Sequence, residues 1–66
     1  MEKLNAITQI LNTLHSIEAE LTETTDSHMT IKFSNPLFST GIRHLAVAAG
    51  FATETSKDKT ELKINL

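Results

Sequence analysis

Two hexapeptides constrain this chain more than anything else in it. "HMTIKF", residues 28–33, sets Met29, Ile31 and Phe33 against His28, Thr30 and Lys32, and "ELKINL", residues 61–66, sets Leu62, Ile64 and Leu66 against Glu61, Lys63 and Asn65. Alternation with period two is the signature of a half-buried strand. A strand with one apolar face must be covered on that face and wetted on the other. The rest of the chain therefore has to supply the cover, and it is short, 66 residues in all. Folding at this size buries only about 60% of the surface the unfolded chain exposes. Small domains compensate with disulfides, a metal or a partner subunit. There is no cysteine, which removes disulfides, thiolate zinc sites and thiol nucleophiles together. His15, His28 and His44 sit on three separate segments, so neither a metal nor another cofactor is expected. Self-association is the remaining way to add buried area.

The cover is legible as two amphipathic stretches. Leu4, Ile7, Ile10, Leu11, Leu14, Ile17 and Leu21 recur at steps of three and four, an arc of roughly 140° at ~100° per residue. Asn5, Thr8, Gln9, Asn12, Ser16 and Glu20 occupy the other side. This spacing predicts a helix from Glu2 to Leu21 or Thr22, followed by a polar break in "TETTDS". Ser34-Asn35-Pro36 ends the first strand, because a residue before proline avoids the helical region and proline donates no ladder bond. Phe38, Ile42, Leu45 and Ala49 then stack on one helical face, with Ala46, Ala48 and Ala52 beside them. Asn35 can cap this second helix with Pro36 at its first position, or the helix starts later, at Ser39. Gly50 is placed to stop it. Gly41 costs up to about 1 kcal/mol inside a helix, which argues for the later start or for a close packing contact. Phe51 to Thr55 reads as a short strand, "SKDK" as a turn, and "ELKINL" as its hairpin partner.

The expected order is therefore α-β-α-β-β. The chain is read as an α+β fold, a single compact domain over 1–66, with one three-stranded sheet and two helices packed on one face. No internal repeat or linker interrupts it. No run approaches the roughly 18 apolar residues of a membrane span. Lys3 leads into an amphipathic pattern, not the unbroken apolar run of a signal peptide. A soluble, cytoplasmic protein without membrane attachment is the expectation.

The stretches "FSNPL", "LAVAAGF", "TETS" and "ELKINL" give the chain a likeness to a known family. In this order, over nearly its whole length, the chain resembles the R-three-H domain, a small module that binds single-stranded nucleic acid. With Gly50 aligned to the family glycine, the family's signature arginine and histidine, one helical turn apart, are replaced here by Ser39 and Arg43, and the turn that follows reads "KDKTE". The resemblance implies a sheet with two helices on one side and a phosphate-contacting surface on the second helix.

The charge balance points elsewhere. Six basic and eight acidic side chains give a net charge of −2, and three Phe with no Tyr or Trp leave little to stack on bases. Nucleic-acid binders carry a basic patch and aromatic platforms. Candidate nucleic-acid contacts are Arg43, which faces away from the helical core positions, its neighbour His44, and Lys32 and Lys63 on the wet face of the sheet. The plainer reading of each is a solvated surface charge or a cross-strand partner for a carboxylate such as Glu61. Glu18, Glu20, Glu23 and Asp26 form an acidic run that serves either solubility or a basic partner. Val47 and Leu66 are candidate partner contacts, since a terminal strand ending on its apolar side leaves an edge to protect. No glycine-rich phosphate loop, nucleophile–base pair or cofactor fingerprint is found, so no enzymatic activity and no small-molecule substrate is expected. The expectation is a small protein-interaction module: an adaptor, an inhibitor or a dimerising accessory factor, acting through a protein partner or self-association. A diverged single-stranded-nucleic-acid binder is the alternative.

Overall fold

The computed structural model describes residues 2–66, as two helices and an antiparallel sheet of four strands. In chain order these are α1 (Glu2–Leu14), β1 (Ala19–Thr24), β2 (His28–Phe33), α2 (Leu37–Ala48), β3 (Ala52–Thr55) and β4 (Glu61–Asn65). The sheet order is β1-β2-β4-β3. The chain is α+β, as the apolar patterns require, but the order is α-β-β-α-β-β and the sheet has one strand more than expected. Among the described residues no helix is long and apolar enough to cross a membrane.

The extra strand lies where the first helix was expected to continue. The helix stops at Leu14, the Ser16 amide closes its last turn on the Thr13 carbonyl (3.0 Å), and Glu18 takes a left-handed conformation at φ 53°. That residue turns the chain back into β1. The reason is visible in "IEAEL": Ile17, Ala19 and Leu21 fit a period of two as well as they fit the helical steps. The threonines after them favour strand. Ala19 pairs with Phe33 and Leu21 with Ile31, so their side chains share the inner face of the sheet. Thr22 then bulges out of register, its Oγ1 donating to the Thr30 carbonyl at 3.3 Å. The "TTDS" break becomes the β1–β2 turn. Its Thr25 hydroxyl accepts the amides of Ser27 (3.2 Å) and His28 (3.1 Å), a side chain doing the work of a backbone turn.

The second helix starts early. Pro36 is already helical (φ −57°, ψ −24°) and the Asn35 side-chain oxygen accepts the Leu37 amide at 3.0 Å. Neither expectation drawn from Gly41 is met: the helix begins at Leu37 rather than Ser39, and a Cβ at Gly41 would meet nothing within 4 Å, so no close contact requires the glycine. The far end is a glycine stop, as the sequence leads one to expect. Gly50 has φ 96°, its amide donates to Val47, and the Phe51 amide reaches back to Ala46, both at 3.0 Å. These are the two bonds of a Schellman ending, which satisfies carbonyls the helix leaves over.

Both helices press on the same core. Ile10 and Leu14 from α1 and Ile42 and Ala46 from α2 cluster with Met29, Ile31, Phe33, Phe51, Leu62 and Ile64. Ile10, Ile31, Leu62 and Ile64 are wholly buried, and each such side chain contributes about 1.5–3 kcal/mol of transfer free energy. The helix α2 is rolled relative to its apolar spacing. Ala46 and Ser39 are buried, Leu45 and Ala49 are half-buried, and Phe38 is exposed. A small Ala46 lets the helix settle on the sheet. The cost of burying Ser39 is offset by its hydroxyl donating to the Pro36 carbonyl at 2.7 Å. Arg43 stays exposed on α2.

Candidate interaction surfaces

The outer face of the sheet is polar and balanced by its register. Lys32 lies opposite Glu20 on β1 and opposite Glu61 on β4, and Lys63 lies opposite Thr30 on β2 and opposite Glu54 on β3. The Lys63 ammonium stands 3.6 Å from the Glu54 carboxylate. Glu23 also belongs to this face and holds the His28 ring, Nε2 to Oε1, at 2.6 Å. The ring's Nδ1 lies near the hydroxyls of Thr25 (3.2 Å) and Ser27 (3.3 Å), which fixes its orientation. The strand pairing thus surrounds Lys32 and Lys63 with carboxylates.

Arg43 and His44 stand on α2, on the other side of the sheet from those lysines. The four candidate nucleic-acid contacts therefore do not form one surface. Arg43 instead finds a cation that the sequence does not single out, Lys59. With Ser39, Thr40 and Thr55 these two line a cleft of about 160 Å³, which holds three hydroxyls and no carboxylate. Neither Arg43 nor Lys59 is within ion-pair distance of an acid among the described residues.

Lys59 is held by a tightly wired turn between β3 and β4. Its amide donates to the Ser56 carbonyl at 3.0 Å and its φ is 62°, a position that glycine usually fills. Asp58 is the hub of that turn. Its Oδ1 accepts from the Thr60 hydroxyl (2.7 Å), the Thr60 amide (3.1 Å) and the Ser56 hydroxyl (2.8 Å). These bonds, the Thr60 hydroxyl first, lower the carboxyl from 3.8 to about 2. The acid of "KDK" is thus engaged inside its own turn and does not reach into the Arg43–Lys59 cleft. His44 is exposed and is not among the residues that line this cleft.

The third surface is apolar and runs along the β1 side of the molecule. The arc of α1 is wider than the sheet beneath it can cover. Ile10 and Leu14 are buried, whereas Leu4 stays 66% exposed and Leu11 39%. These two lie on one side of the helix, two turns apart, and Leu11 stands at the end nearer the edge strand β1. Leu21, on the inner face of β1, is also 39% exposed. Between helix and strand runs a groove of about 380 Å³ lined by Leu11, Leu14, His15, Ala19, Glu20 and Leu21. The partner contacts expected at Val47 and Leu66 are both half-exposed. Leu66 lies just beyond β4, its amide donating to the Ser27 carbonyl at 2.9 Å, which carries the β2–β4 register one step past the Asn65–His28 pair.

No family model, no curated protein and no solved structure matches this chain.

Proposed function

We propose that the chain is a small, non-enzymatic protein-interaction module, an adaptor, inhibitor or dimerising accessory factor of the cytoplasm, whose working surface is the α1–β1 side. The observation that carries this reading is the pairing of Leu11 and Leu21, both 39% exposed, across one groove beside an edge strand. A domain this small has few large aliphatics to spare. Leaving two of them half in solvent along one groove costs solubility and gives little to the core, unless another surface covers them. The edge strand beside them adds unpaired backbone groups suited to a partner.

The test is recovery of partners from cells expressing the protein, with three baits. These are the unmodified chain, Leu11→Ser with Leu21→Ser, and Arg43→Ala. A stoichiometric partner kept by Arg43→Ala, lost by the double variant and rebinding as a purified protein supports the reading. The same set of captured proteins for all three baits refutes it. Sedimentation at rising protein concentration separates self-association from a different partner.

A second reading is favoured by the Arg43–Lys59 cleft: a diverged single-stranded-nucleic-acid binder on an R-three-H-like pattern. Two unpaired cations among hydroxyls suit one phosphate, with the arginine giving a planar fork. Anisotropy of short labelled DNA and RNA strands at low salt tests it. Arg43→Ala and Lys59→Ala should each flatten the plot of log affinity against log salt by about 0.7 for every phosphate left without its cation. No saturable binding at low salt ends this reading.

A further inference from the structure

We propose that the α1–β1 side accepts a short extended segment of another protein, alternating apolar and basic residues, laid against Ala19–Leu21 as a fifth strand. The inference rests on the reading of this side as the working surface and adds the chemistry of what binds there.

The backbone sets the mode. β1 pairs with β2 alone, so alternate residues turn their N–H and C=O groups away from the sheet with no strand to receive them. The regular stretch is short, because the register breaks between Leu21 and Glu23. An incoming strand can pair with about the first three residues before the bulge carries the edge away.

Side chains on the two sides of such a strand meet different chemistry. Those turned towards the helices enter the groove of Leu11, Leu14 and Leu21. Those turned the other way meet the outer face beside Glu20. Residues 18–24, "EAELTET", carry three glutamates and no cation. Glu23 is engaged by His28, while Glu18 and Glu20 have no cation within ion-pair distance among the described residues.

The same charges argue against a second copy as the occupant. Two β1 strands running antiparallel would bring the glutamates of one edge against those of the other, and like charges facing each other across a ladder are destabilising. A basic, apolar segment turns that repulsion into attraction. It presents Lys or Arg to Glu18 and Glu20 and Val, Ile or Leu to the groove.

The experiment uses two blocked heptapeptides, Gly-Lys-Val-Lys-Val-Lys-Gly and the same peptide with Glu for Lys, titrated into the isotope-labelled protein. The expected result is saturable binding of the lysine peptide only. Amide shifts should centre on Ala19–Leu21 and Leu11, and hydrogen exchange should slow at the outward amides of β1. The second readout separates strand addition from docking by side chains alone. Glu18→Gln with Glu20→Gln should weaken the lysine peptide by about three- to ten-fold, the worth of two exposed ion pairs. Rising salt should weaken it likewise. Leu11→Ser, an exposed position, should weaken it without unfolding the protein.

Equal binding of both peptides, shifts centred elsewhere or unchanged exchange on β1 would overturn the proposal. If the lysine peptide fails while the Leu11→Ser, Leu21→Ser bait still loses a partner, the segment's chemistry is wrong and the interaction reading stands. If the bait also loses nothing, both fall.

Discussion

Replacing Gly41 by alanine is expected to stabilise the domain. Gly41 lies in the interior of α2, has ordinary helical backbone and is exposed. A Cβ built on it has open space for at least 4 Å, so no clash offsets the gain. Glycine in a helix interior is less favourable than alanine by about 0.8–1.0 kcal/mol, part of it entropy in the unfolded chain. For a domain of this size about 1 kcal/mol corresponds to roughly 4–8 °C in melting temperature. Urea denaturation followed by far-ultraviolet circular dichroism should show a higher midpoint with an unchanged slope. The slope matters because it reports the surface exposed on unfolding, which a single methyl does not alter. A lower midpoint would refute the reasoning, since it requires something to lie against Gly41 in solution. If the loss grew with protein concentration, that object would be a second copy on the outer side of α2.

Gly50→Ala should act in the opposite direction. It forces a side chain into φ 96° and brings its Cβ to 3.4 Å from Lys3 Cε, so a loss of about 1–2 kcal/mol is expected in the same urea assay. Glu18→Gly should instead gain up to about 1 kcal/mol, because glycine relieves the left-handed φ of 53° there. The same substitution should lower affinity for the lysine heptapeptide, which a purely structural role would not do. Asp58 sets an acid-side dependence: its folded carboxyl titrates at about 2 against an ordinary 3.8. Its contribution is therefore full above about pH 4 and is lost as pH falls towards 2. Melting temperatures recorded between pH 5 and pH 2 should fall less steeply for Asp58→Asn than for the unmodified protein.

The strands at 28–33 and near 61–65 are plain in the sequence because each alternates without ambiguity, and so is the glycine that ends α2. The region after Leu14 is different. Ile17 and Leu21 satisfy helical spacing from Ile10 and Leu14, and they also satisfy alternation with Ala19. Periodicity cannot choose between two periods over five residues. The left-handed turn that decides the matter falls on a glutamate, where glycine or asparagine would have announced it. The candidate surfaces were legible as residue types and not as neighbourhoods. Arg43 and Lys59 are sixteen positions apart and come to line one cleft only in the fold, where the β3–β4 turn stands beside α2. Lys32 and Lys63 look like a basic pair until strand pairing places Glu20, Glu61 and Glu54 opposite them. Leu4 and Leu11 read as core because apolar arcs are assigned to the interior by default, and only the width of the sheet shows how much of the arc it can roof.

The bulge at Thr22 has a further consequence for concentration and growth. In the order β1-β2-β4-β3 with every neighbour antiparallel, β1 and β3 run in opposite directions. A translated copy could therefore dock its β3 on β1 and present a fresh β1 to the next. Repetition would build a fibre. Four residues of β3 against three regular residues of β1 make a weak joint, and the bulge swings the remainder of the edge off axis. Thr22 thus works against propagation: past Leu21 the edge offers a second copy no continuous register to extend.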